Sequence, residues 1–523
     1  MKRLIALMLC AAVLLCGCAG AKNALGFSGI VKFEEMEYVR PDMDAVANSA
    51  LAAIEAAETA RTPEQVMDAV WEYYDVYNDF QTDYDLAHIQ YHADLNDFYW
   101  QTEEAFCAEN YAQLDAYLED IYGALAESPH RAELEEEYFG AGYFDDYEGE
   151  GFYDEELMAL LEQEQALIGE YYELASDFGL DAWDYYDQYA VPLARILAEL
   201  VALRQEMAAW AGYDSYPEFA WDFYYYRDYT PEQADAYLEQ IREELVPLYR
   251  ELDHDGFAES GLKWCKEEDV FGYVRSAAEA MGGVTEEAFR LLEQAELYDI
   301  SSDSRKSGMS FEVYLSKYYE PYVFLTGSES RYDCLTFAHE FGHFATDYAA
   351  AGSAAGIDVL EVFSQGMEYL SLCYAEGGAE LVELKLADCL CTYVEQAAYA
   401  AFEEKMYSLT GEELTAENLL ALYEQTCTEY GFDSMADWDS RDLVTVQHYY
   451  SNPMYIISYV VSNDAALQLY QLELQTPGAG RDIFENSLVT EEGWFLAFLE
   501  EAGLQSPLGR VKEVRSLLEE KLS

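Results

Sequence analysis

Apolar residues recur at helical spacing over most of the chain. From Pro192, the residues Leu193, Ile196, Leu197, Leu200 and Val201 fall at i, i+3, i+4, i+7 and i+8, which predicts an amphipathic helix opening at Pro192 and ending near Gly212. Similar stripes cover 44–58, 63–80, 103–126, 155–177, 230–252, 285–297, 380–407 and 415–429. Period-two alternation is scarce, so the predicted class is mainly α. The clearest β-prone run is Tyr322-Val323-Phe324-Leu325, closed by Thr326-Gly327, and it reads as an edge strand able to pair with an extended peptide. The stretch 133–156 concentrates Gly, Tyr and carboxylates without the spacing of a calcium loop, and reads as a solvated connection. A break in the pattern near 205–215 separates an expected N-terminal helical lobe, 33–205, from an expected catalytic lobe, 206–523.

One helical segment carries chemistry. Within LTFAHEFGHFATDY, His339 and His343 stand four residues apart, one turn above each other on one helix face, where both imidazoles reach a single zinc ion. Glu340 follows the first histidine, and that offset places its carboxylate beside the metal as a base for an attacking water. Phe337, Ala338, Phe341 and Phe344 flank the motif, so the helix is expected to be buried. Glu361 lies 18 positions beyond His343 and opens a second helical pattern. It can complete a two-His, one-Glu ligand set with a fourth position open. Glu368, two turns further on the same face, is a candidate either to support a ligand or to meet substrate. His88 and His92 are also four apart, but Ile89 follows the first and no third ligand is evident. His448 sits in the Tyr-rich segment VQHYYSNPMYIISYVV, with Tyr455 and Tyr459 as neighbouring phenols; taken alone, it reads as a structural histidine.

Composition narrows the partners. A chain of 523 residues with 51% hydrophobic residues, 32 Gly and 11 Pro is globular and long enough for two or more lobes at about 150 residues per domain. With 103 Asp and Glu against 28 Lys and Arg, the net charge of −75 repels phosphate backbones and excludes nucleic acid as a main partner. The first 17 residues read as an export signal: Lys2 and Arg3 precede an apolar run, Leu4 to Leu15, that is too short to span a membrane. The end of this segment, Leu15-Cys16-Gly17-Cys18, resembles a bacterial lipobox and makes Cys18 the expected lipidation site, with 18–32 as a tether. Since so acidic a body is repelled by anionic lipid, the acyl chains must supply the membrane attachment. The remaining seven cysteines lack metal spacing and read as buried thiols.

Over nearly the whole mature chain the sequence resembles the oligoendopeptidase F and thimet oligopeptidase family of zinc metallopeptidases, closest to the bacterial oligoendopeptidase F branch. The resemblance is carried by Phe33-Glu34-Glu35-Met36-Glu37-Tyr38-Val39-Arg40-Pro41-Asp42, by Gly212-Tyr213-Asp214-Ser215-Tyr216, by the HEFGH helix, by Glu361 with Ser364, Gln365 and Glu368, and by His448-Tyr449-Tyr450 with Asn452-Pro453-Met454-Tyr455. It implies zinc, one ion per chain, on His339, His343 and Glu361, with Glu340 as general base. It also implies that His448 donates to the transition state, with Tyr455 or Tyr459 as the accompanying phenol. Thr346 and Ile457 stand where the family commonly has His and Tyr. The implied fold is an elongated helical zincin-type body with a deep substrate channel and a small β element beside the metal helix. The expected function is zinc-dependent hydrolysis of short unstructured oligopeptides outside the cytoplasm by a bacterial lipoprotein. The alternative is a peptide-binding lipoprotein without catalysis, which has no need of Glu340.

Overall fold

A computed structural model of the chain describes residues 30–146, 155–175, 182–350, 352, 355–436, 438–490 and 492–522. The expected leader and Cys18 lie outside the described residues. The chain is mainly α and forms two compact units. The first comprises Met1–Glu162, Glu287–Gly327 and Phe344–Ala354, and the second Gln163–Glu286, Ser328–His343 and Ala355–Ser523. Both units are discontinuous in sequence, with breaks after Glu162, Glu286, Gly327, His343 and Ala354.

In the first unit three helices pack together: α1 (Met43–Thr59), α2 (Pro63–Ala93) and α3 (Phe98–Glu127). Each begins on an N-cap side chain, Asp42, Thr62 or Asp97, that accepts backbone N–H bonds from the first turn. The small face Val46, Ala50, Ala53 and Ala57 of α1 lets larger side chains such as Val70, Tyr73, Leu118 and Ile121 close the core. The Tyr73 hydroxyl donates to the Leu114 carbonyl at 2.7 Å, so a buried phenol adds area without leaving an unpaired oxygen. In the part of the acidic connection after α3 that is described, 135–139 and 143–146 form short π and 3-10 turns, fastened by Glu135 accepting from the N–H groups of Gly142 and Phe144, while 147–154 lie outside the described residues.

The unit also holds a three-stranded sheet: β1 (Tyr298–Asp299), β2 (Ser310–Leu315) and β3 (Glu320–Leu325) in the order β1-β3-β2. β3 contains the predicted run Tyr322–Leu325, but it is the central strand, parallel to β1 and antiparallel to β2. The expected edge strand is thus an interior one, buried at every position. β2 is missed by period-two reading because its residues are half-buried on both faces.

The second unit carries the chemistry-bearing segments. Its elements include α4 (Ala182–Trp210), α5 (Tyr332–Ala350, in this unit up to His343), α6 (Ile357–Tyr374), α7 (Val382–Cys391) and α8 (Ile457–Gln475). Pro192 lies inside α4 and does not open it. Proline removes one helical hydrogen bond, but buried Ala190, Leu193, Ala194 and Leu197 hold the helix together on both sides of it. The predicted 380–407 helix is α7 followed by a π turn, Thr392–Gln396, and a further helix, Ala397–Tyr407. α6 and α8 are buried along most of their lengths, so their polar residues pair with each other. The Gln365 amide donates to the Tyr459 carbonyl at 3.1 Å and to the Ser462 hydroxyl at 3.0 Å, and the Tyr369 hydroxyl donates to Asn463 Oδ1 at 2.9 Å.

The crossing of α5 and α6 depends on Gly342. A Cβ there would stand 2.5 Å from the Phe363 carbonyl oxygen and 2.5 Å from the Ser364 Cα, both backbone atoms. Helix propensity alone would make Gly342→Ala stabilising by about 1 kcal/mol. Overpacking against backbone costs about 1–3 kcal/mol and reverses the sign. Gly342→Ala is therefore expected to lower the thermal unfolding midpoint, and a midpoint at or above the parent's would contradict this close approach.

Candidate metal centre and active site

Helical spacing on α5 and the Gly342 crossing bring His339, His343 and Glu361 together, with their ligand atoms within 4.8 Å of one another. His339 Nε2 is 3.5 Å from Glu361 Oε2, and His343 Nε2 is 3.8 Å from Glu361 Oε1. Donors bound tetrahedrally at zinc's usual bond lengths stand about 3.3 Å apart, so this set fits zinc with little adjustment. Two nitrogens and one carboxylate also match the donor chemistry of a catalytic zinc site. Each Glu361 oxygen has a donor: Ser364 to Oε2 at 2.8 Å and the Tyr455 hydroxyl to Oε1 at 2.6 Å.

Glu368 is placed behind His339, accepting from its Nδ1 at 2.9 Å. That bond fixes the tautomer in which Nδ1 carries hydrogen and Nε2 offers its lone pair to the ligand position. Glu368 is buried and so is not the surface carboxylate it could equally have been; it stands against His339. Burial pushes the His343 imidazole down to about 4, which keeps it neutral. Burial also disfavours the His339 imidazolium, but the Glu368 hydrogen bond and the charges of Glu361 and Glu340 outweigh it and raise this group to about 9. The same acidic surroundings favour a cation at this position. Glu340 is buried, and desolvation raises its carboxyl to about 7 against the opposing pull of His339, within the range of a base that works near neutrality.

His448 opens a short helix, His448–Ser451, and its Nε2 is 3.3 Å from the Tyr459 hydroxyl. Burial lowers its pKa. The rings of Tyr455 and Tyr459 lie 5.3 and 5.7 Å from the His448 ring. The two phenols differ in what they touch: Tyr455 is bonded to Glu361, whereas Tyr459 faces His448. Both departures from the family pattern are buried, Ile457 and Thr346 alike. His88 and His92 lie in the first unit, their rings 4.2 Å apart, with Phe311 packed on both.

Two buried arginines that sequence reading missed hold the 448–459 segment. Arg204 donates through Nε to Glu164 at 2.7 Å, through Nη1 to the Tyr449 carbonyl at 2.7 Å, and through Nη2 to the Tyr450 carbonyl. Arg227 pairs with Asp358 at the start of α6 and donates to the Met454 carbonyl and the Ser458 hydroxyl, both at 2.9 Å. The signal for Arg204 was present in the pattern. It lies 11 residues beyond Leu193 on the same apolar stripe, and a cation on a buried stripe requires partners.

The fold is that of the helical peptidases of the oligoendopeptidase F type. The chain carries a Peptidase M3 N-terminal domain, matched over residues 33–150. Among solved structures it is similar to PZ peptidase A bound to an inhibitor, at 20% identity and a TM-score of 0.81, with 94% of this chain and 99% of that one covered. A protein from Bacillus anthracis assigned as oligoendopeptidase F matches at 20% identity and a TM-score of 0.77, covering 95% and 98%. Oligoendopeptidase F from Enterococcus faecium matches at 15% identity and a TM-score of 0.59, covering 91% and 96%. At these identities the likeness is one of fold. No curated protein matches the chain by sequence.

Removing the Arg204 guanidinium strands Glu164 and two carbonyls in a buried setting. Breaking such a pair costs about 3–5 kcal/mol. Arg204→Met is expected to unfold at clearly lower temperature than the parent, and an unchanged midpoint would show that the anchor contributes nothing.

Proposed function

We propose that the chain is a zinc-dependent endopeptidase that hydrolyses short, unstructured oligopeptides. The observation that carries this reading is the convergence of two Nε2 atoms and one carboxylate at zinc spacing, with Glu340 buried in the same cluster. Bound zinc would supply Lewis-acid polarisation of a peptide carbonyl and would acidify water. His339, His343 and Glu361 are the residues that would hold it. Glu340 takes the proton of the attacking water and later delivers it to the leaving amine, a task suited to a carboxyl near neutral pKa. His448 and the Tyr459 hydroxyl act as hydrogen-bond donors to the developing oxyanion. Tyr455 instead keeps the Glu361 carboxylate oriented. The chain's likeness to oligoendopeptidase F structures supports peptide substrates.

The decisive measurement is cleavage of quenched fluorescent peptides by residues 19–523. Glu340→Gln is expected to lower turnover by about 10²–10⁴-fold while zinc content is kept. A chelator is expected to abolish turnover and added zinc to restore it. Turnover unaffected by Glu340→Gln would eliminate this mechanism. Peptide binding without cleavage by either form would favour the peptide-binding lipoprotein.

We also place the protein outside the cytoplasm, on a bacterial membrane through lipid at Cys18. Support comes from the leader and lipobox-like sequence Leu15-Cys16-Gly17-Cys18. No helix among the described residues is long and apolar enough to cross a membrane. Cys18→Ser is expected to move the protein from the membrane fraction to the soluble fraction and to remove the acyl mass from its N-terminal peptide. A variant that stays membrane-bound would refute the anchor.

A further inference from the structure

We propose that Lys385 and Asp388 on α7 are positioning residues of the metal centre, acting on His339 through Glu368 and setting the affinity for zinc. The inference rests on the metal reading of the site and extends it to a helix that contributes no ligand.

The chain of contacts is continuous, and its two middle members, Glu368 and Lys385, are buried. His339 Nδ1 meets Glu368 Oε1 at 2.9 Å, Glu368 Oε2 accepts from Lys385 Nζ at 2.7 Å, and Lys385 Nζ also donates to Asp388 Oδ2 at 2.8 Å. The Lys385 side chain is 2% exposed, and its ammonium lies 4.8 Å from the centroid of the Tyr369 ring, over its face. A lysine this buried requires partners for its charge, and each of its two carboxylates has a different position. Glu368 faces the metal cluster, whereas Asp388 is one turn along α7 from Lys385 and partly open to solvent.

Geometry explains what Lys385 adds. The Glu368 carboxylate can support His339 only if one oxygen stays in line with the Nδ1–H bond, and the carboxylate rotates freely unless its other oxygen is also held. Lys385 holds that second oxygen. Glu340 and Glu361 lie in the same cluster and repel the Glu368 charge, so an adjacent cation keeps it in place. Asp388 in turn fixes the ammonium, which three rotatable donors on a four-carbon stem would otherwise leave mobile. A purely structural bolt between α6 and α7 would change thermal stability alone. A positioning role changes zinc affinity, and does so only while Glu368 is present.

The test uses residues 19–523, the mature chain without its lipidated Cys18, with zinc affinity measured against a competing chelator and thermal unfolding measured on the metal-free proteins. Lys385→Met is expected to weaken zinc binding about 10–100-fold, the usual effect of losing support behind a ligand. Asp388→Asn, which leaves the lysine in place, is expected to weaken it by a smaller factor. Lys385→Met combined with Glu368→Gln is expected to bind zinc no more weakly than Glu368→Gln alone, because the lysine acts through that carboxylate. Parental affinity in folded Lys385→Met, or losses that multiply in the double variant, would overturn the proposal. If Lys385→Met fails to fold, Asp388→Asn decides, and an unchanged affinity there overturns it. A parent that binds zinc but cleaves no peptide defeats the proposed activity and leaves this inference standing, whereas a parent that binds no zinc defeats both.

Discussion

The buried Glu361 carboxylate is the constraint to which the second unit is built. It sits between two imidazoles at 3.5 and 3.8 Å and is nearly free of solvent contact. Removing an ionised carboxylate from water costs several kcal/mol, and hydrogen bonds from Ser364 and Tyr455 offset only part of that. Glu340 and Glu368 add negative charge to the same cluster. An arrangement of this kind is stable when a cation stands among the acids. The close helix crossing at Gly342 follows from the same need, since Glu361 reaches the α5 histidines only if α5 and α6 approach to backbone contact.

The 448–459 segment meets a different problem, because its helices are interrupted at 452–456 and the side chains on both sides of the break must still be held in place. His448–Ser451 is a single turn, and Met454 adopts φ 66°, a left-handed conformation that costs a non-glycine residue free energy. Contacts on both sides of that peptide hold it. The Met454 N–H donates to Glu403 at 2.8 Å, and its carbonyl accepts from Arg227 at 2.9 Å. With Arg204 gripping the Tyr449 and Tyr450 carbonyls upstream, buried charges do for this segment what backbone hydrogen bonds do for α5.

The parts of the site legible in the sequence are those set by local geometry. His339, Glu340 and His343 follow from a four-residue helical repeat, and Glu361 from the next apolar stripe beginning at a short distance. Helices such as Met43–Thr59 and Ala416–Glu429 were readable for the same reason. What tertiary packing decides was not readable. Pro192 marks a helix start by local rules, yet packing of Ala190 and Leu193 carries α4 through it. Tyr322–Leu325 has strand composition, but only the pairing with both β1 and β2 shows it to be interior. Lys385 and Arg204 look like interruptions of apolar helices until distant partners, Glu368 for the one and the Tyr450 carbonyl, 246 residues away, for the other, are in place.

Those two cations also explain the composition. With 103 acidic side chains and only 28 Lys and Arg, most carboxylates of the chain have no basic residue to pair with. Phenols take that place. Tyrosine hydroxyls donate to Glu103, Asp358, Glu395, Glu473 and Glu361 from Tyr38, Tyr229, Tyr249, Tyr374 and Tyr455. A phenol offers a donor and a large apolar face with no charge to desolvate, which suits a core that must coexist with a strongly acidic surface. Substituting phenols for cations leaves few basic residues to bury, and those that are buried mark places where a neutral donor does not suffice. Arg204 and Arg227 each serve several acceptors at once, beyond the reach of one hydroxyl. Lys385 stands against a carboxylate that Glu340 and Glu361, in the same cluster, would otherwise repel. In a chain this short of positive charge, a lysine buried directly behind a histidine's hydrogen-bond partner is an expense that packing of α7 alone does not explain.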